Sequence, residues 1–108
     1  MMSSTDAQVR KATPLYSGLL AYFPLALEEV AKVSYVGNEQ HNPGQPLHWD
    51  RAKSTDELDA LLRHVADHAK GSVFDTDGQR HLAKAAWRAL ARLQKDLELD
   101  RDGKDRVG

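Results

Sequence analysis

The chain has 108 residues and no cysteine, and its 15 basic and 16 acidic side chains leave a net charge of −1. This length suits one small domain, and the lack of cysteine excludes disulfides, thiolate metal sites and a Cys nucleophile. A nearly neutral chain is not expected to bind long nucleic acid. No apolar run approaches the roughly 18 residues of a membrane span, and the N-terminus lacks a hydrophobic signal core. We therefore expect a cytoplasmic protein that does not enter a membrane.

The first part of the chain predicts an arm followed by a helix. Residues 1–13 are polar and without periodicity, which indicates a flexible arm, and the apolar residues 14–22 predict one short helical turn. Pro24 suits the first turn of a helix. Because Leu27, Val30, Val33 and Val36 recur at helical spacing, residues 24–40 are predicted to form the first main helix.

Residues 41–53 form a long loop that concentrates aromatic and charged side chains. Two prolines and a glycine exclude a regular element there, and ordered loops of such length are often functional. An aromatic ring beside cations suits a nucleobase and its phosphates. An alternative is that Trp49 fills the core and Arg51 pairs with acidic groups on the helices. The candidate nucleotide-binding residues of this loop are His48, Trp49, Arg51 and Lys53.

Two more helices follow. Ser54 and Glu57 fit a capping box that would start the second helix, and Gly71 would end it. Thr76 and Gln79 suggest a similar start for a third helix over residues 77–99, whose alanines would permit close packing. Apolar stripes are predicted on the second helix at Leu58, Leu61, Leu62, Val65 and Ala69, and on the third at Leu82, Ala85, Ala86, Ala89, Leu90, Leu93 and Leu97.

The resulting fold class is all-α. We expect one domain over residues 14–99, a small bundle of three main helices plus a short N-terminal helix. Residues 100–108 are charged, contain glycine and are predicted to be a flexible tail. Because so small a core buries a modest fraction of the chain's surface, we expect a homo-oligomer, a dimer or larger, to complete the bundle.

Two helical surfaces carry candidate metal ligands. Glu28 and Glu29 are adjacent on the first helix, and stacked carboxylates hold Mg²⁺ or Mn²⁺; the alternative is a solvated acidic face. His64 and His68 are one turn apart on the second helix with Asp67 between them, which is half of a transition-metal site. A surface or hydrogen-bonding role is the alternative for that pair.

The third helix has a basic face. Asp77, His81, Lys84 and Arg88 recur at helical spacing. Lysine and arginine beside a histidine suit phosphate oxygens, and arginine can contact two of them at once. The alternative is that this face pairs with the acidic first two helices.

Nearly the whole ordered chain resembles a known family. The most specific segments are GNEQHNPGQPLHWDRAKSTD over residues 37–56, the pair Arg63-His64, and DTDGQRHLAKAAWRAL over residues 75–90. Through them the chain is similar to the phage and bacterial family of dATP/dGTP diphosphohydrolase N-terminal domains. That resemblance implies kinship with MazG-like all-α pyrophosphohydrolases. These are oligomers that cut a nucleoside triphosphate to monophosphate and pyrophosphate with Mg²⁺.

The resemblance implies site residues as well. Glu28 and Glu29 match the first two carboxylates of an E-E-x-x-E motif whose third position is Lys32 here, and the second helix, with Asp59 and Asp67, lacks the family's E-x-x-D. We expect Mg²⁺ or Mn²⁺ at Glu28, Glu29 and Asp67.

Two functional hypotheses follow. In the first, a purine (d)NTP is hydrolysed: His64 and His81 act as catalytic groups, and Arg63, Lys84 and Arg88 join the loop residues in binding the nucleotide. In the second, the chain sequesters a nucleotide or cyclic-nucleotide immune signal without catalysis, as a phage anti-defence sponge in the host cytoplasm.

Overall fold

The computed structural model describes residues 6–103, and its regular elements are helices, as predicted. The helices are α1 (Ala7–Lys11), α2 (Pro24–His41), α3 (Glu57–Ala69) and α4 (His81–Arg101), with a π-helical turn at Tyr16–Leu20. Within residues 6–103 there is no strand, and one isolated antiparallel bridge joins Phe74 and Arg80. No helix in this part of the chain combines the length and apolar character needed to cross a membrane.

The longest helix, α4, is the centre of the bundle, because both α3 and α2 pack against it. The buried apolar side chains are alanines: Ala60 of α3 and Ala83, Ala85 and Ala91 of α4. A methyl side chain lets two helix backbones approach closely, as expected for the third helix. Of the stripe alanines, however, only Ala85 is buried, whereas Ala86 and Ala89 are exposed.

The predicted leucine stripes do not form the core. Leu62 keeps 65% of its surface exposed and Leu93 keeps 54%. The α3 side chains that are buried are instead Glu57, Ala60 and His64, because the narrow interface with α4 admits small or polar groups. Large apolar side chains therefore line the outside of the bundle.

The predicted starts of the last two helices are wrong. α3 begins at Glu57, and the Ser54 hydroxyl donates to Asp56 Oδ1 (2.8 Å) instead of capping a backbone amide. α4 begins at His81, four residues after Asp77, because the segment before it folds into a tight turn. The predicted end of α3 is confirmed, since Gly71 adopts a φ of 97° two residues after the last helical residue.

The N-terminal segment has more structure than the sequence indicates. Asp6 caps α1 by accepting hydrogen bonds from the backbone amides of Gln8 (2.9 Å) and Val9 (3.3 Å). The short turn predicted within residues 14–22 is the π-helical turn. The rest of the predicted arm (1–5) and the end of the predicted tail (104–108) lie outside the described residues.

Candidate active-site cavity

A cavity of about 670 Å³ opens between α2, the loop that follows it, α3 and the start of α4. This volume is within the range of small-molecule sites. Its walls include most of the predicted nucleotide-binding residues and one of the predicted catalytic histidines, namely His48, Trp49, Lys53, Arg63, His64, Lys84 and Arg88. Arg51 lines a separate apolar groove instead.

Buried Asn38 of α2 holds the loop over the cavity. Its side-chain amide donates to Gln45 O (3.0 Å), and its carbonyl oxygen accepts from the backbone amide of His48 (3.2 Å). A second amide, Asn42 Nδ2, donates to Asp50 Oδ2 (3.3 Å). These bonds give a loop without regular structure a defined path, which places His48 and Trp49 at the cavity wall.

The end of the loop is fastened to α4. Arg88 donates to Ser54 Oγ (2.6 Å), and Lys95 Nζ donates to the backbone oxygens of Arg51 and Ser54 (3.0 Å each). Lys95 also pairs with Glu57 Oε2 (2.9 Å), whose side chain is only 2% exposed. Because these contacts converge on Ser54, the loop and the start of α3 are held as one wall of the cavity.

Two tryptophans meet at this wall. The rings of Trp49 and Trp87 contact edge to face, with centroids 5.7 Å apart, and Trp87 Nε1 donates to Ser34 Oγ (2.7 Å). The Arg51 guanidinium lies 4.3 Å from the Trp49 ring centroid and pairs with Glu98 of α4. Arg51 therefore occupies the position that the alternative prediction gave it, paired with a carboxylate on a helix. Trp49 combines both predictions, because it packs against Trp87 and also lines the cavity.

The chemically most distinctive feature is a pair of facing histidines. His64 Nδ1 and His81 Nδ1 are 2.9 Å apart, and each residue is 5% exposed. Burial lowers the pKa of His64, and the charges of Arg63, His81 and Lys84 lower it further. The lowered pKa favours the neutral imidazole, which has one unprotonated ring nitrogen that can accept a hydrogen bond or bind an ion.

Asp75 completes a cluster with these histidines. One ligand atom from each of His64, Asp75 and His81 lies within 4.8 Å of the others, which makes them a group able to hold a metal ion. The turn before α4 places Asp75: its backbone amide donates to Gln79 O (2.8 Å), and Gly78 permits the turn with a φ of 80°. His81 is fixed from the other side, because its backbone amide donates to Val73 O (3.0 Å).

Lys84 joins this cluster to a second carboxylate. Its Nζ contacts Asp75 Oδ2 (2.7 Å) and Asp77 Oδ2 (2.8 Å). The hydrogen bond from Lys84 and the one from the Thr76 amide lower the pKa of Asp75 to about 2. Desolvation lowers the pKa of Lys84, but its bonds to both carboxylates outweigh that effect and raise it. All three groups are thus ionised at neutral pH.

The metal ligands expected from the sequence lie elsewhere. Glu28 is exposed, and Glu29 pairs with Lys32 (2.7 Å) and Arg80 (3.6 Å). Asp67 is partly buried on α3 and does not line the cavity. Among the described residues, the group whose ligand atoms lie within 4.8 Å of one another contains His64 and His81 but none of these carboxylates.

The chemistry of the clustered residues suits a divalent cation, because imidazole nitrogens and carboxylate oxygens are both common ligands. Two atoms bound to one ion at about 2.1 Å each can be at most about 4.2 Å apart; the histidine nitrogens, at 2.9 Å, satisfy that limit, and the Asp75 ligand atom lies within 4.8 Å of the histidine ligand atoms. A carboxylate oxygen can bind an ion while accepting a hydrogen bond from a neighbouring cation, so the contact with Lys84 leaves Asp75 usable. Sequence reasoning missed Asp75 as a ligand, although it begins one of the segments that carry the resemblance.

Comparison with known proteins gives one result. The family model described as "dATP/dGTP diphosphohydrolase, N-terminal" matches residues 4–106. No curated protein and no solved structure matches the chain. Since the matched region covers nearly all of the sequence, including the whole cavity, the chain belongs to the dATP/dGTP diphosphohydrolase N-terminal domain family.

Proposed function

We propose that the chain binds a purine deoxynucleoside triphosphate in the cavity and cleaves it to the monophosphate and pyrophosphate in a reaction that needs a divalent cation. The observation that carries this proposal is the convergence of three features at one cavity: an aromatic wall, a set of cations, and the His64–Asp75–His81 cluster, of which His64 and Asp75 line the cavity. The family name supports the substrate class.

The cations of the cavity suit the triphosphate chain. Lys53 and Arg63 are exposed at the cavity, and Arg88 approaches Asp56 at 4.0 Å while it contacts Ser54. A phosphate can take up the guanidinium donors of Arg88 that these contacts leave available, and arginine binds phosphate oxygens in pairs. Trp49 offers the purine a ring for stacking at the same wall.

The buried cluster suits the scissile phosphate. His64, Asp75 and His81 would hold a divalent ion, which would supply Lewis-acid stabilisation of the charge that develops on phosphate oxygens. In this arrangement the histidines predicted as catalytic groups act by holding the ion. Lys84 keeps Asp75 ionised and in position, because its ammonium lies between Asp75 and Asp77.

The experiment is a nucleotide panel. Purified protein is incubated with each (d)NTP and Mg²⁺, Mn²⁺ or Zn²⁺, and the products are separated by ion exchange. We expect dGTP or dATP to give equal amounts of monophosphate and pyrophosphate, and the variant His64→Gln to give neither. Release of inorganic phosphate with a diphosphate product, or no turnover with any pair, contradicts the proposal.

A second candidate is a nucleotide-binding protein without catalysis, such as a sponge for a nucleotide immune signal. The observation that favours it concerns the E-E-x-x-K helix: Glu29 pairs with Lys32 and Arg80, and neither Glu28 nor Glu29 lines the cavity, so this helix brings no acidic metal ligand to it. Calorimetry with the same panel separates the two candidates. Tight binding with the nucleotide recovered intact supports this second function, and turnover excludes it.

We also propose that the protein forms a homo-oligomer. Within residues 6–103 no large side chain is fully buried, while Leu58, Leu62, Leu90 and Leu97 are each more than half exposed. Since these side chains are little more than half exposed, burying the rest of each against a second copy is favourable by about 0.8–1.5 kcal/mol. Light scattering coupled to size exclusion tests this, and a mass equal to one chain at micromolar concentration contradicts it.

A further inference from the structure

The paired imidazoles bear on the kind of ion that the cavity takes. Mg²⁺ prefers oxygen ligands and octahedral geometry and keeps several waters. Imidazole nitrogens favour later first-row ions such as Fe²⁺, Co²⁺, Ni²⁺ and Zn²⁺. In the cluster, two of the three ligand groups are imidazoles and only Asp75 offers oxygen.

We infer that His64, Asp75 and His81 form a transition-metal site that binds an ion of the Zn²⁺ or Co²⁺ class in preference to Mg²⁺. The site shares its cavity with the proposed nucleotide hydrolysis and deepens that function by naming the ion. The metal site does not depend on a bound nucleotide, because all three proposed ligands are side chains of the protein.

The surroundings of the histidines support this assignment. Both rings are about nineteen-twentieths buried, and their Nδ1 atoms face each other across 2.9 Å. The opposite nitrogen of His81 lies 3.5 Å from Ser72 Oγ. A metal-binding histidine usually donates its other ring N–H to an oxygen, which fixes the ring orientation and the tautomer. If His81 Nε2–H donates to the Ser72 hydroxyl, the unprotonated nitrogen of His81 is Nδ1, which faces His64.

The third proposed ligand, Asp75, is also fixed by hydrogen bonds. Asp75 Oδ1 accepts a hydrogen bond from the Thr76 amide (2.7 Å), and Oδ2 accepts one from Lys84 (2.7 Å). The carboxylate is therefore oriented by the same turn that positions His81. His64 and Asp75 are both part of the cavity wall, so an ion that they held would be reachable from the cavity.

The histidine one turn after His64 provides a matched control. His68 lies on α3, four residues from His64, and its Nδ1 is buried with no hydrogen-bond partner among the described residues. It does not belong to the cluster. His68→Gln therefore removes an imidazole from the same helix without removing a proposed ligand.

The test uses the full chain after treatment with a chelator. Co²⁺ is added and followed by visible absorption, and Zn²⁺ is added in a calorimeter, each with and without millimolar Mg²⁺. We expect one ion per chain, little competition from Mg²⁺, and an affinity that falls about 100-fold or more in His64→Gln, His81→Gln and Asp75→Asn. His68→Gln should bind as the unmodified protein does.

Two results would overturn the inference. One is a chain that takes up neither Co²⁺ nor Zn²⁺, and the other is binding that survives in His64→Gln and His81→Gln, whether or not it is lost in His68→Gln. If a variant does not fold, NMR of the imidazole nitrogens in the unmodified chain decides the question. Zn²⁺ should shift the signals of two of the five histidines, and no shift would reject the site.

These outcomes are separable from those of the proposed function. Binding of Co²⁺ without turnover of any nucleotide supports the metal site and rejects the hydrolase. Turnover of a nucleotide with Mg²⁺ by a chain that binds neither Co²⁺ nor Zn²⁺ supports the hydrolase and rejects the transition-metal site.

Discussion

Replacing Lys84 by methionine tests the charge balance at the cavity floor. The ammonium group contacts Asp75 and Asp77 and is 19% exposed, so the variant keeps the side-chain stem and removes the charge. In the folded protein the pKa of Asp75 falls from an ordinary 3.8 to about 2. At about 1.4 kcal/mol per pKa unit this corresponds to about 2.4 kcal/mol of stability at neutral pH. The Thr76 amide causes part of this shift and the carboxylate is partly exposed, so the share of the stability that Lys84→Met removes is about 1–2 kcal/mol.

The sign of the pH dependence follows from the direction of the shift. A carboxylate whose pKa is lowered by folding stabilises the protein fully above its unfolded value of 3.8 and loses that contribution as the pH falls towards about 2. Urea unfolding followed by circular dichroism at pH 7, 4 and about 2.5 measures the effect. Lys84→Met should be less stable than the unmodified protein by about 1–2 kcal/mol at pH 7, and the difference should shrink at the acidic end. A difference that is absent at pH 7, or that is the same at every pH, would refute this reasoning.

Three further predictions concern the wall and the turns of the cavity. Trp49→Ala should weaken dGTP binding about tenfold through loss of stacking, while Trp49→Phe keeps most of the affinity; equal affinities in fluorescence titrations would exclude stacking on this ring. Glu57→Ala should destabilise the fold by about 3 kcal/mol, because it removes a buried carboxylate and leaves the Lys95 ammonium with backbone oxygens but no counter-charge, whereas exposed Glu28→Ala should change stability by less than about 0.5 kcal/mol in urea unfolding. Gly78→Ala should cost about 1–2 kcal/mol, since its φ of 80° strains other residues. Gly37→Ala, in a helix with open space around it, should instead stabilise by up to about 1 kcal/mol in thermal unfolding.

The parts of the fold that were predictable depend on local patterns. Apolar residues at helical spacing predict α2 to within one residue at its C-terminal end, and Gly71 correctly predicts the end of α3. The predicted capping boxes failed because their side chains have other partners. Ser54 bonds to Asp56 and Arg88, and Glu57 pairs with Lys95, which lies 38 residues away. Capping patterns consider only residues within a few positions of each other, so they cannot predict a pairing with a residue so far along the chain.

The candidate site shows the same limit. Most of the predicted phosphate-binding cations do line one cavity. They were predictable because a basic helix face and a charged loop can be recognised from the sequence alone. The His64–His81 contact joins residues 17 positions apart and depends on the turn between α3 and α4, so helical spacing suggested the pair His64 and His68 instead. The segment DTDGQRH holds both Asp75 and His81, and its place in the family resemblance was the available signal.

The most direct test of the central claim is to locate the bound nucleotide. Labelled protein is titrated with dGTP, and NMR of the indole N–H groups of Trp49 and Trp87 reports whether the nucleotide lies at the cavity wall. The affinity for dGTP is also measured in Arg88→Gln, which alters the cavity, and in Glu28→Gln, which alters the acidic face of α2. We predict that the Trp49 indole signal shifts, that Arg88→Gln weakens binding about tenfold or more, and that Glu28→Gln has no effect. Unshifted indole signals together with loss of binding in Glu28→Gln would contradict the assignment of the site to this cavity.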